Sequence, residues 1–169
     1  PLPYLPVIKD LVVDRSVFWE QYEKIKPWLM PPNDVPEKEF RMSQEEVDAM
    51  EQAETCIMCG ACYSACPIVA SNKLYIGPHA LLKAFLRIVD PRDQEPDERL
   101  DIVATENGAF RCHKVGNCIT ACPKGLNPAQ AISNLGKASL RSGRLSEERV
   151  DRMKALIAVM DVSQPEMTH

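Results

Sequence analysis

The stretch "CIMCGACYSACP" (residues 56–67) sets Cys56, Cys59, Cys62 and Cys66 in close succession and follows the last with Pro67. A second stretch, "RCHKVGNCITACP" (residues 111–123), repeats the spacing with Cys112, Cys118 and Cys122, but Val115 stands where a second cysteine would fall. Seven cysteines cannot all be paired as disulfides, and no charged segment leading into an apolar run marks a secretory leader. Thiols spaced this closely in such a chain read as metal ligands.

The rest of the composition narrows the classes. A chain of 169 residues suffices for one compact domain or two small ones. The net charge is -4, with Lys and Arg dispersed among Asp and Glu, so nucleic-acid binding gains no support. The longest uninterrupted apolar stretch, "ALIAVM" (155–160), falls far short of the roughly 20 residues that span a bilayer, and the chain is expected to be soluble by itself. Its first residue is Pro1, which suits a processed subunit or a piece of a longer protein.

Three regions separate along the chain. Residues 1–42 hold the proline clusters "PLPYLP" and "PPNDVP" around "RSVFWEQYEKIKPWL", and read as an extended arm with one helix. Its aromatics Phe18, Trp19, Tyr22 and Trp28 are expected to be packing residues, with a docking face for a partner chain as the alternative. Residues 43–140 form the cysteine-bearing body. Ser43 and Glu46 stand at capping-box spacing and predict a helix start. "GPHALLKAFLRIVDP" (77–91) predicts a helix with Leu81, Leu82, Phe85, Leu86 and Val89 on one face, stopped by Pro91. "DERLDIVATEN" reads as a short helix, and Asn127 followed by Pro128 predicts the cap and first turn of another. Residues 141–169 are expected to form a C-terminal helix and tail, with Val150, Met153, Ile157 and Met160 on one stripe. Beyond "LPVIKDLVV" no strand pattern occurs, so the fold expected is mostly α: a helical, bacterial-ferredoxin-like domain between the arm and the terminal helix.

The run C-x-x-C-x-x-C-x-x-x-C-P marks bacterial-type iron–sulfur ferredoxins, in which the fourth cysteine ligates the other cluster of a pair. Three closely spaced cysteines wrap one cube, while the fourth lies beyond the turn and faces the neighbour. On that rule Cys56, Cys59, Cys62 and Cys122 hold a 4Fe-4S cluster, and Cys66, Cys112 and Cys118 belong to the other. Val115 cannot ligate iron, so one corner of that second cluster lacks a protein ligand and a 3Fe-4S cluster is expected. Two alternatives stay open on the residues alone. One is a pair of four-iron cubes with a non-cysteine ligand at one corner. The other is a zinc module, although seven thiols fill two four-ligand zinc sites only if His113 is added.

The order of "CIMCGACYSACP", "YIGPHALL", "DPRD", "FRCHKVGNC" and "CPKGLNP" resembles the iron–sulfur subunit of succinate dehydrogenase and fumarate reductase, respiratory complex II. The opening, "PLPYLPVIKDLVVDRSVFWEQYEKIKPWL", resembles the segment joining that family's two domains, and the resemblance runs from residue 1 to about residue 138. It implies a helical domain with 4Fe-4S and 3Fe-4S clusters. The family's other domain, a plant-type ferredoxin with a 2Fe-2S cluster, needs a C-x4-C-x2-C run that this sequence lacks, so it is expected on another chain or another part of the same subunit. The implied function is to pass electrons from a flavoprotein subunit, through the clusters in series, to quinone at membrane anchor subunits. The implied location is the periphery of the mitochondrial inner membrane, on the matrix side, or of a prokaryotic plasma membrane, on the cytoplasmic side. The chain itself shows no flavin or dicarboxylate site.

The resemblance also assigns roles around the quinone. His113 matches the family's histidine near the quinone, where imidazole relays protons or holds bound water, and the alternative is a residue that only orients the cluster loop. Val115 lies against the quinone pocket or simply fills space, and Pro67 with Ile68 supplies pocket wall. Arg111 and Lys114 attract anionic groups or are solvated charges. One departure is clear: "CPIVASNKLYIGP" has none of the tryptophans that many relatives place after the Cys-Pro pair. An iron–sulfur subunit of another oxidoreductase, of the glycolate, glycerol-3-phosphate or heterodisulfide kind, is the competing assignment. Those proteins usually keep a full second run, so Val115 and "CPKGLNP" speak against it.

Overall fold

A computed structural model describes residues 1–142, and the helix expected further on, over "SEERVDRMKALIAVM", lies outside the described residues. The chain opens with a small antiparallel hairpin, β1 (Val7–Lys9) and β2 (Val12–Val13), turning through Asp10 in the left-handed region at φ 51°. This is where the sequence showed its one strand-like run. The first helix, α1 (Ser16–Lys24), is shorter than the segment that suggested it. Lys26 adopts φ 49° and Pro27 follows, so the helix stops a turn before Trp28.

Helical spacing also decides which arm aromatics pack. Phe18, Gln21 and Ile25 share the face turned to the body and are buried. Trp19 sits one position round from Phe18 and remains 40% exposed, while Trp28 lies past the helix end and is 54% exposed. Trp19 still packs edge-on against Phe18 and Tyr22, with ring centroids at 5.0 and 5.7 Å, so of the four aromatics expected to pack it is Trp28 that departs.

The body is helical. Ser43 and Glu46 close a complete capping box on α2 (Gln44–Glu54), with Ser43 N–H donating to Glu46 Oε2 at 2.7 Å. Two short helices follow, α3 (Ala61–Ser64) and α4 (Pro67–Ser71), then α5 (Pro78–Val89) and α6 (Pro96–Val103). A 3-10 turn (Ala109–Arg111) leads to α7 (Asn117–Thr120) and finally α8 (Pro128–Arg141), whose Asn127 cap accepts from Gln130 N–H at 2.9 Å.

The central helix is α5, which packs against α1, α2, α3, α6 and α8. It buries more than the single apolar stripe its sequence predicted. Leu81, Ala80 and Ala84 meet Leu100, Val103, Ile132 and Leu135, and Leu82 with Leu86 meets Met50, Ala53, Leu126 and Ala131 on another side. The alanines at 80 and 84 let neighbouring helices approach. Among the described residues, no helix is long and apolar enough to cross a membrane.

Two polar ties fasten the arm to the body. The fully buried Arg99 of α6 pairs with Asp93 and donates to the carbonyls of Lys26 (2.9 Å) and Trp28 (2.7 Å), while Asp93 accepts from Met30 N–H at 3.1 Å. Near the other end of α1, His79 Nε2–H donates to the Phe18 carbonyl at 2.9 Å, and its ring stacks on Phe18 at 3.8 Å. Burial pushes His79 down to about 3, against the hydrogen bond to Phe18, so the ring stays neutral.

Both ties yield measurable consequences. Arg99→Ala strands a buried carboxylate and three backbone acceptors, and is expected to cost about 3–5 kcal/mol in denaturant unfolding. His79, with its folded pKa below the unfolded value of about 6.5, stabilises the fold fully above pH 6.5 and progressively less as the pH falls toward 3. Wild type is therefore expected to lose about 2 kcal/mol relative to His79→Gln between pH 7 and pH 5. A pH-independent difference contradicts this.

Candidate metal centres

The two cysteine runs share one backbone form. Met58 and Lys114 are both left-handed, at φ 54° and 55°, and Gly60 and Gly116 both have φ 86°. Each glycine caps a four-residue helix, α3 or α7, and the same pattern of bonds closes each turn. Ala65 N–H donates to Ala61 and Ala121 N–H to Asn117, both at 3.0 Å; Cys66 N–H donates to Tyr63 and Cys122 N–H to Ile119, both at 3.2 Å. A glycine suits the left-handed position because a Cβ is strained there. Superposing the runs on these landmarks puts Val115 at the position Cys59 occupies in the first.

Helices α3 and α7 pack side by side, with Asn117 Nδ2 donating to the Ala65 carbonyl at 3.1 Å. Around them lie two cavities open to solvent. The first, about 370 Å³, is lined by Cys56, Cys59, Cys62 and Cys122, with Leu82, Leu126 and His79 behind. The second, about 340 Å³, is lined by Cys66, Cys112 and Cys118. The cysteines sort four and three, and Cys66 and Cys122 each stand in the cavity of the other run. Local geometry explains the exchange: Cys66 leaves α3 in an extended conformation at the head of α4, pointing beyond its own turn.

Of the remaining residues singled out from the sequence, all but Arg111 line the second cavity. His113, Lys114 and Val115 are exposed, Val115 to 57%, and Pro67 and Ile68 stand half-buried beside Cys66. Arg111 instead faces Glu106 at 3.8 Å, a weak exposed pair. Two cavity residues carried no sequence signal of their own. Tyr75, in the loop before α5, lines the second cavity at 1% exposure, and His79 lines the first. The loop carrying Tyr75 is fixed by Ile76 N–H donating to the Asn107 carbonyl at 2.9 Å and by Asn72 bonding Asn107 at 3.0 Å. Neither periodicity nor spacing predicts that link.

The donor set fits sulfur-bridged iron. All seven cysteines are free thiols, soft donors suited to such clusters. Among the described residues, no three of His, Cys, Asp or Glu converge closely enough to hold a single metal ion. One zinc ion draws its thiolates to about 2.3 Å from a common centre; cysteines spread round the wall of a wider cavity suit a group of several irons. Burial first, then the thiols of Cys56, Cys118, Cys59 and Cys122, pushes Cys62 up to about 12. Cys118 is raised the same way, by burial and then by Cys112 and Cys66. Metal binding must therefore displace protons from these sulfurs.

Comparison with known proteins supplies the class. A family model described as a 4Fe-4S dicluster domain matches residues 52–126, which contain both cysteine runs. Residues 52–126 thus match a dicluster iron–sulfur domain, in keeping with their helical fold.

Longer matches give the relatives the chain resembles. The chain is 43% identical over 136 residues to the succinate dehydrogenase iron-sulfur subunit of Paracoccus denitrificans, covering 80% of this chain and 52% of that protein. It is 40% identical over 148 residues to the Coxiella burnetii protein of the same name, covering 87% and 63%. The fumarate reductase iron-sulfur subunit of Mycobacterium tuberculosis is 43% identical over 134 residues, covering 78% of this chain and 54% of its own. A chain in the solved structure titled Mycobacterium smegmatis Sdh1 complex in the apo form superposes with a TM-score of 0.73 at 27% identity, over 83% of this chain and 60% of that one. The chain is similar to succinate dehydrogenase and fumarate reductase iron–sulfur subunits over 78% to 87% of its own length, and spans between 52% and 63% of the length of these curated relatives.

The exchange of Cys66 and Cys122 gives a direct mutational signature. Cys66→Ser, although in the first run, is expected to disrupt the centre built on Cys112 and Cys118 and to spare the one built on Cys56, Cys59 and Cys62. Cys122→Ser is expected to do the reverse. Iron and sulfide assay with EPR of each variant reads the outcome.

Proposed function

We propose that this chain carries electrons through two clusters in series within a succinate:quinone oxidoreductase or fumarate reductase, as part of its electron-transfer subunit. Cys56, Cys59, Cys62 and Cys122 would hold a 4Fe-4S cluster, and Cys66, Cys112 and Cys118 a 3Fe-4S cluster; bound there, the two clusters supply one-electron carriers. The observation that carries the reading is the four-and-three sorting of the thiols between adjacent cavities, with Val115 where the second run lacks its cysteine.

The chain's own residues give the electron path its two ends. The hairpin and α1 form the arm, residues 1–42, through which a 2Fe-2S domain and flavoprotein subunit would connect to the body of residues 43–140. At the other end, His113 and Val115 stand exposed beside Pro67 and Ile68 at the cavity of the open centre. That mouth suits quinone held against membrane anchor subunits: Val115, Pro67 and Ile68 offer apolar wall, and His113 an imidazole to hand a proton to a reduced quinone oxygen. The complex would sit on a membrane through its anchors, with this chain peripheral.

The test is Val115→Cys in the assembled complex. Adding the missing thiolate is expected to convert the open centre to a four-iron one, so that the EPR signal of an oxidised three-iron cluster disappears and a second cubane signal appears on reduction. A three-iron signal unchanged in the variant contradicts the placement of Val115 at the open corner.

A further inference from the structure

Tyr75, at the head of "YIGPHALL", is a polar side chain buried in the core. It is 1% exposed, packs in the main core beside Leu81 and Ile132, and lines the second cavity together with Cys66, Cys112 and Cys118. Its hydroxyl belongs to the same cavity wall as Cys112, the first cysteine of the incomplete run, and that thiol acts on it. A tyrosine that only filled space here would do so as well without its hydroxyl, because burying an unpaired hydroxyl is costly. The first cavity has no counterpart: the titratable aromatic behind it is His79, whose Nε2–H is already committed to the Phe18 carbonyl.

We propose that Tyr75 is a positioning residue that tunes the second centre: its O–H donates to the Cys112 sulfur and raises the reduction potential of that centre relative to the first. This rests on the reading of the second cavity as an iron–sulfur site. The physical basis is charge. One-electron reduction adds a negative charge that spreads onto the thiolate sulfurs, and a fixed O–H dipole aimed at one of them stabilises the reduced form more than the oxidised form. Burial is what gives a single dipole weight, since little water competes with it. The phenol remains protonated throughout. A phenol this deeply buried keeps its proton and acts as a donor. Rigidity comes from the loop, where Tyr75 N–H donates to the Asn72 carbonyl at 3.2 Å and Ile76 is tied to Asn107. The consequence is directional: an electron leaving the first centre is drawn to the second, the one beside His113 and Val115.

The experiment is an EPR-monitored redox titration of the intact membrane complex with wild-type chain, with Tyr75→Phe, and with 3-fluorotyrosine incorporated in place of tyrosine at 75. The midpoint of the second centre is expected to shift to lower potential in Tyr75→Phe and to higher potential with the more acidic fluorinated phenol, while the midpoint of the first centre stays fixed. Unchanged midpoints in both variants, or equal shifts of both centres, overturn the proposal. If Tyr75→Phe fails to assemble its second cluster, the fluorinated protein, which keeps ring and hydroxyl, decides alone. Absence of any three-iron signal in the wild-type complex refutes the reading of the site itself, whereas a normal signal with an immovable midpoint refutes only the role of Tyr75.

Discussion

Two cysteines standing in each other's cavities constrain most of this structure. Cys66 and Cys122 end their own runs but line the opposite pocket, so the runs must lie against one another with α3 and α7 in contact. Neither half can be withdrawn without removing a sulfur from the other. The cavities are then closed from behind by α5 and α8: Leu82 and Leu126 back the first, and Pro78, Ala129 and Ile132 the second. A helical body with short connecting loops follows from this requirement, because four turns carrying seven thiols need rigid rods on either side to hold them apart.

The same packing makes the thiols dependent on metal. Burial and neighbouring thiols raise Cys62 and Cys118, so these sulfurs favour the protonated form until metal displaces the protons. Cluster binding would replace those protons and join segments far apart in sequence, coupling assembly to folding. The arm is fixed by different means. Arg99 with Asp93, and His79 with Phe18, bind backbone carbonyls and a ring face of residues 18–30, so the entry segment is held by buried polar contacts at either end of α1.

What the sequence discloses depends on the range of the interaction. The capping box at Ser43 and Glu46 and the Asn127–Pro128 start are local chemistry, and the helices begin where those residues indicate. The cysteine spacing is local too, and the repeated left-handed turns at Met58, Gly60, Lys114 and Gly116 give it a common backbone. Its pairing across runs was legible only because the ferredoxin rule links distant cysteines. Tyr75, His79 and Arg99 owe their roles to partners 37, 61 and 71 residues away, and no pattern in the chain announces a polar residue that will be buried. The face of α5 is wider than its apolar stripe for a related reason: Ala80 and Ala84 look neutral in a hydrophobic pattern, yet both are fully buried. Helix α1 stops short of the expected segment because Pro27 disfavours helix at the residue before it, and Lys26 turns left-handed there.

The central claim is that seven thiols divide into one closed centre and one left open at Val115. Low-temperature EPR of the complex containing this chain, first oxidised and then reduced stepwise, tests it most directly. The account predicts a three-iron signal in the oxidised state that vanishes on one-electron reduction, alongside a single cubane signal that appears only on reduction. Two cubane signals and no oxidised-state signal would contradict it, and would mean that another ligand closes the corner beside Val115.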